Sequence, residues 1–271
     1  MPELPEVETT RRGIAPHVCG RRVKSIIVRN AALRYGVPPQ LAQQLPGSVI
    51  RAVERRAKYL LFVSDGGTML IHLGMSGSLR YLERPGPPAK HDHVDIVFEG
   101  GACLRLHDPR RFGSVLWRAG VGAEHPLLAS IGPEPLSPEF NAEALYHRSR
   151  GRSSAIKHFI MDSSVVAGVG NIYANEALFM AGIHPGRAAG RISLTRYRKL
   201  VDAIKNVLEA AIRSGGSTLR DFVNSDGKPG YFAFEHKVYG HAGAPCRCCG
   251  RPLKALRLGQ RATVYCGHCQ R

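Results

Sequence analysis

Acidic side chains and long apolar runs are both scarce in this chain of 271 residues. Asp and Glu number 21 against 38 Lys and Arg, a formal net charge of +17. The shortage deepens along the chain. Residues 1–135 carry 18 basic and 12 acidic side chains, residues 136–271 carry 20 and 9, and after Glu235 there is no acid at all. That imbalance points to a polyanion as partner, nucleic acid first; a basic surface kept for solubility is the plain alternative. No apolar run approaches the roughly 18 residues of a membrane helix. The opening MPELPEVETTRR lacks the apolar stretch of a secretory signal, so a soluble, cytoplasmic protein with no membrane partner is expected. No G-x-G-x-x-G follows a strand-like segment, which argues against a dinucleotide-binding unit. Disorder is excluded by composition, since 44% of residues are hydrophobic and can fill real cores.

Seven cysteines do not form a disulfide framework. Four of them fall as Cys246-x-x-Cys249 and Cys266-x-x-Cys269. Each pair can bend around one ion, and the spacer can form a hairpin that closes a tetrahedral site. One structural Zn²⁺ is expected there. A redox CxxC does not explain two pairs at this separation, and thiolate ligands agree with a reducing cytosol. Cys248 is out of phase with the pairing, and Cys19 and Cys103 read as small core residues.

Local patterns divide the chain. Residues 5–18 read as a short helix, with Pro5 in its first turn and Val7 and Ile14 on one face. Strands are expected at Val23–Val28, Tyr59–Val63, Met69–His72, His93–Phe98, Leu104–His107 and Ser114–Trp117. Asp65-Gly66-Gly67 and Glu99-Gly100-Gly101 read as hairpin turns. The alternation of Val94, Ile96 and Phe98 suits a half-buried antiparallel strand. The first half is therefore a β-sandwich or barrel. Prolines at 126, 133, 135 and 138 mark a boundary near 132–138. Helices follow at Ile172–Ala181, ended by Gly182, and at Ser193–Ser214, capped by Ser193 and stopped by Gly215-Gly216.

Several motifs can carry chemistry, each with a plainer reading beside it. Ala167-Gly168-Val169-Gly170-Asn171 can present N–H groups to a phosphate at a helix start, or it is a tight turn between helices. Residues 216–231, polar and Gly-rich, can form a lid over a site or a surface connection. In Asp108-Pro109-Arg110-Arg111-Phe112 the arginines can bind phosphate or a base edge and Phe112 can wedge between bases; alone, this is a turn with a core Phe. Met75 in Gly74-Met75-Ser76-Gly77 can likewise be core. Removal of Met1 would leave Pro2 as a secondary amine able to attack a sugar C1′, with Glu3 and Glu6 beside it to move protons. The same acids would also complement a helix N-terminus.

Taken together, MPELPEVETTRRG, RRAKYL, HLGMSGSLR, KHDH, DPRRFG, VVAGVGNIYANE, SDGKPGYF and the ending QRATVYCGHC closely resemble bacterial formamidopyrimidine-DNA glycosylase. The resemblance runs from first residue to last, and the opening PELPEVE is unlike the PEGPE of the endonuclease VIII branch. It implies an α+β protein: an N-terminal antiparallel β-sandwich with an N-terminal helix over 1–134, a helix-two-turn-helix domain over 135–236, and a zinc-binding β-hairpin over 237–271, with DNA in the cleft between domains. It further implies a monomer that removes 8-oxoguanine and formamidopyrimidines from damaged double-stranded DNA and cleaves the abasic site by β,δ-elimination. Pro2 would be the nucleophile, Glu3 the general acid, Lys58 the group for β-elimination and Arg261 the group for δ-elimination. His91, Arg110, Arg152 and Asn171 would contact DNA, and Met75, Arg110 and Phe112 would fill the gap left by a flipped nucleotide. Arg152 stands where relatives can carry Lys, which keeps charge and changes contact geometry.

Overall fold

A computed structural model describes residues 2–120, 122, 125–215 and 235–271. The polar, Gly-rich segment 216–231, read as a lid or a surface connection, lies outside the described residues. The chain divides into two compact units, one built on residues 2–129 and one on 130–213 with 235–271.

Helix α1 (Leu4–Val18) opens the first unit. Glu3 caps it in a reciprocal box, donating its N–H to the Glu6 carboxylate at 2.8 Å and accepting the Glu6 N–H on its own side chain. Pro5 fits the first turn, where an N–H would have no helical acceptor. Leu4, Val7, Ile14 and Val18 form the buried stripe. Cys19 caps the far end in extended backbone and is exposed. It is therefore not the core residue its type implied, because the helix ends before it and its side chain leaves the stripe.

The unit continues with β1 (Val23–Val28), α2 (Pro39–Gln44), β2 (Ile50–Arg56), β3 (Tyr59–Ser64), β4 (Gly67–His72), β5 (Ser78–Leu82), β6 (Asp92–Phe98), β7 (Cys103–His107), β8 (Ser114–Ala119) and α3 (Pro126–Ala129). Two antiparallel sheets result, in the orders β1-β6-β7-β5 and β2-β3-β4-β8. Side chains alternate across a strand, so Ile96, Phe98 and Leu104 of the first sheet meet Leu60, Phe62 and Ile71 of the second. Val7 and Ile14 of α1 join the same core. This is a sandwich.

Two strands were not legible in the sequence. IRAVERR in β2 carries four charges in seven residues, and SLRYL in β5 is five residues long. β6 corrects another expectation: it is buried on both faces, not one. Its polar face is covered because Asp92 and Asp95 are satisfied by Arg80, Arg29, Arg105 and His107.

The second unit contains α4 (Ala142–Ser149), α5 (Ile156–Met161), α6 (Asn171–Met180), α7 (Leu194–Arg213) and the hairpin β9 (Lys254–Leu258) and β10 (Arg261–Tyr265). In α7 the 3.6-residue stripe from Tyr197 to Ile212 is buried as its period demands. Helix α6 is buried from Ile172 to Phe179 on every side, which makes it the central post of this unit.

Candidate active site and nucleic-acid interface

Pro2 and Glu3 sit at the head of α1, both buried. The helix is held by a charge cluster around Glu8. The Glu8 carboxylate accepts from Arg11 at 2.8 Å, Arg12 at 2.8 Å and Arg55 of β2 at 3.1 Å. Burial alone would raise its pKa; the hydrogen bonds from Arg11 and Arg12 and the Arg55 charge outweigh that and hold it at about 2. Arg55 also donates to the Ala57 carbonyl at 3.0 Å. One guanidinium thus joins the helix that begins at Glu3 to the turn that carries Lys58. That turn is two residues long, since Arg56 pairs with Tyr59, and Ala57 takes a left-handed φ of 51° to close it. Lys58 projects its charge onto His72 of β4. Burial first, then the charges of Lys58 and Arg34, lower the His72 pKa to about 4. The imidazole is neutral, and its Nδ1 accepts the Gly74 N–H at 2.9 Å.

Met75, Arg110 and Phe112 are brought together by two loops. Gly74 lies so close to the other loop that a Cβ would stand 2.4 Å from the Phe112 carbonyl carbon, and its φ is +65°. Only glycine fits both demands. The organiser is Asp108, fully buried between the loops. It accepts from the Ser76 hydroxyl at 2.7 Å and the Gly113 N–H at 2.7 Å, while Ser76 Oγ accepts the Arg110 N–H at 3.2 Å. Its carbonyl receives His93 Nε2 at 2.8 Å, and its N–H donates to the His91 carbonyl at 3.0 Å. The Arg110 guanidinium lies 4.8 Å from the Phe112 ring centroid. Phe112 is 42% exposed, so the reading of it as a core residue fails. His91 touches His93 and His107 edge to face at 6.3 and 5.9 Å.

The remaining candidates lie in the second unit. Asn171 is the first residue of α6, after Gly168 at φ 75° and the N-cap Gly170. Its Oδ1 is buried with no hydrogen-bond partner among the described residues. Arg152 is exposed on the loop after α4. Arg261 is exposed at the start of β10. The hairpin that bears it, and the segment that leads into it, are anchored by three side chains that sequence reasoning missed. Lys157 of α5, fully buried, donates to the Ala262 carbonyl at 3.0 Å and Thr263 Oγ1 at 2.7 Å. Asn175 Oδ1 accepts the Val264 N–H at 3.0 Å. Glu176 accepts the N–H groups of Lys237, Val238 and Tyr239 at 2.8, 3.0 and 2.8 Å. A lysine within the apolar run IKHFIM was the one available signal for this framework; Asp108 gave none, because an Asp before Pro reads as an ordinary turn.

Cys246, Cys249, Cys266 and Cys269 converge, with all four sulfurs within 4.8 Å of one another. Cys249 and Cys266 are 3.5 Å apart and Cys246 and Cys269 are 4.0 Å apart. Four thiolates about 2.3 Å from one tetrahedral ion would stand about 3.8 Å apart, so the donor set fits a single metal ion. Cys248 is exposed and outside the cluster.

No helix among the described residues is long and apolar enough to cross a membrane. The formamidopyrimidine-DNA glycosylase N-terminal domain matches residues 1–115, and the H2TH domain of the same family matches residues 131–223. Formamidopyrimidine-DNA glycosylases of Methylococcus capsulatus and Marinobacter nauticus are 61% and 59% identical over 271 residues, each chain covered completely. Among solved structures, the MutM (Fpg) protein of Thermus thermophilus has a TM-score of 0.88 at 40% identity, covering 99% of this chain and 98% of that one. The Lactococcus lactis Fpg, solved in complex with DNA containing an abasic site, has a TM-score of 0.90 at 32% identity, covering 99% of each chain. Fold, site and full-length likeness agree: the chain belongs to the formamidopyrimidine-DNA glycosylase family.

Proposed function

We propose that this base excision repair glycosylase removes oxidised purines from duplex DNA through a covalent intermediate on Pro2. The observation that carries the proposal is the clamp at Arg55, which ties the helix begun by Glu3 to the Lys58 turn. An amine, a carboxyl and a cation are thereby held on one rigid support. With Met1 removed, the Pro2 nitrogen attacks C1′ of the damaged nucleotide as the C1′–N bond breaks and the base departs, with Glu3 supplying a proton at that stage. The C1′–O4′ bond then breaks, O4′ takes up a proton as the sugar ring opens, and the resulting cationic iminium acidifies the C2′ hydrogens. Loss of one expels the 3′ phosphate, and a second elimination expels the 5′ phosphate. Lys58 serves the first elimination and Arg261 the second.

A stacked nucleotide cannot be attacked in place, so it must be rotated out of the duplex. Met75 and Phe112 fill the vacated stack, and Arg110 bonds the orphaned base. The hydrogen bonds of Asp108 support this role by fixing both loops together. His91, Arg152 and Asn171 hold the backbone. Zn²⁺ at Cys246, Cys249, Cys266 and Cys269 would close the hairpin over 237–271; four thiolates complete its coordination, so its role is structural. The enzyme acts as a monomer on damaged double-stranded DNA in the cytoplasm.

Borohydride trapping followed by mass spectrometry tests the mechanism. The trapped sugar is expected on Pro2 of protein lacking Met1, and an added N-terminal tag should abolish both base release and trapping. A sugar trapped on a lysine, with Met1 retained on active enzyme, would overturn it. Release of 8-oxoguanine in preference to thymine glycol separates this reading from a glycosylase for oxidised pyrimidines. Phe112→Ala should slow excision from duplex DNA more than cleavage of a preformed abasic site, and equal losses would count against the wedge.

A further inference from the structure

Between the loop after α4 and the short 3-10 turn Ala189–Arg191 lies an open cleft of about 440 Å³. Its walls are Gly151, Arg152 and Ser153 on one side and Ala188, Gly190 and Arg191 on the other. The two walls are fixed to each other by backbone contacts. The Gly190 N–H donates to the Arg152 carbonyl at 2.9 Å, and the Ala189 N–H donates to the Ser154 carbonyl at 2.9 Å. A Cβ at Gly190 would stand 2.8 Å from the Arg152 carbonyl oxygen, so the approach requires glycine.

Arg150 braces the cleft from outside its lining. Its guanidinium donates to the Ile192 carbonyl at 2.9 Å and Ser149 Oγ at 2.7 Å, and lies 3.9 Å from the Tyr146 ring centroid. Arg152 and Arg191 differ from it. Both are exposed, and among the described residues no hydrogen bond or ion pair engages either side chain. No carboxylate lines the cleft, and Glu143 of α4 is already paired with Arg198 at 3.0 Å. The cleft is thus an acid-free notch whose lining includes two uncommitted guanidinium groups and Ser153. A tetrahedral oxyanion with its charge spread over several oxygens is the ligand such a notch suits.

We propose that Arg191, with Ser153, forms a second backbone-phosphate subsite beside Arg152, so that this unit grips one more DNA phosphate than the contact residues named above provide. The inference rests on the reading of the protein as a DNA-binding glycosylase. Each neutralised phosphate steepens the dependence of log K on log salt by about 0.9, which gives the subsite a countable signature.

The test uses the full-length protein and a duplex with an uncleavable abasic analogue, titrated by fluorescence anisotropy over a series of salt concentrations. Arg191→Ala should reduce the slope by about 0.9, Arg191→Lys should largely restore it, and the Arg152→Ala, Arg191→Ala double variant should lose about twice as much. A second series replaces single phosphates with neutral methylphosphonates. At one position the replacement should weaken the wild type and leave Arg191→Ala unaffected. A wild-type slope in Arg191→Ala, or no phosphate position coupled to it, overturns the subsite. Failure of the wild type to bind the duplex at all would instead overturn the functional reading on which it rests.

Discussion

The two units satisfy their buried carboxylates in different ways. In the sandwich, several guanidinium groups are committed to buried carboxylates, while Arg51–Asp65 and Arg22–Glu99 pair at the exposed surface. Arg105 and Arg29 close on Asp95 at 2.9 and 2.6 Å, and Arg55, Arg11 and Arg12 close on Glu8. In the second unit the ion pairs Glu143–Arg198, Glu209–Arg213 and Glu235–Arg247 lie at the exposed surface. There the buried carboxylate Glu176 is occupied by three backbone N–H groups, and Arg152, Arg191 and Arg261 face solvent. Net charge alone does not show where a polyanion binds. A cation that already satisfies a buried acid has little left for phosphate, whereas one with no acid within reach keeps its full charge for a partner.

The contrast can be broken in four places. The largest effect is expected from Cys249→Ser. Binding of a structural zinc by thiolates is worth on the order of 10 kcal/mol, so the variant should lose metal and disorder the hairpin while the sandwich keeps its unfolding transition. Metal analysis and amide exchange check this; simultaneous melting of the sandwich would show that the units are not separable. Asp95→Ala should cost about 3 kcal/mol, because it removes both short hydrogen bonds of buried Arg105 and leaves it the longer ion pair to Asp92 at 3.6 Å and the Gly86 carbonyl at 3.1 Å. Urea denaturation reads the loss, and a cost below about 1 kcal/mol would mean the buried pairs are not what sets this unit apart.

A smaller effect concerns pH. The folded-state pKa of Glu8, about 2, lies below the ordinary 4.5. Its contribution is therefore complete above about pH 4.5 and is lost as pH falls through about 2. Glu8→Gln should flatten the stability profile across that window, and an unchanged acid limb would refute the linkage. The smallest stability effect belongs to Arg261→Ala, expected within about 0.5 kcal/mol of the parent. Strand cleavage by that variant should nevertheless accumulate the β-elimination product. Loss of stability comparable to Asp95→Ala would erase the distinction between the units.

Much of the molecule was legible before any coordinates. The strands expected at Val23–Val28, Tyr59–Val63 and His93–Phe98 are found to within one residue, and α7 follows from its apolar period. The convergence of the four cysteines follows from spacing, because two CxxC turns can close on one ion whatever surrounds them. The resemblance to a family supplied Pro2, Glu3, Lys58 and the void-filling side chains as candidates. Local sequence determined these features because each depends on residues a few positions apart.

Only the tertiary structure decided the rest, and for one physical reason. Whether a polar group is free or committed depends on partners distant in the chain. Asp108 is an ordinary turn residue until Ser76, 32 positions away, donates to it. Lys157 is an unremarked cation until the hairpin carbonyl of Ala262, 105 positions on, accepts from it. Arg55 resembles its neighbour Arg56 until α1 brings Glu8 against it from 47 positions earlier. Burial removes water as the alternative partner, so these distant bonds, which no periodicity records, fix which charges hold the fold and which stay available for DNA.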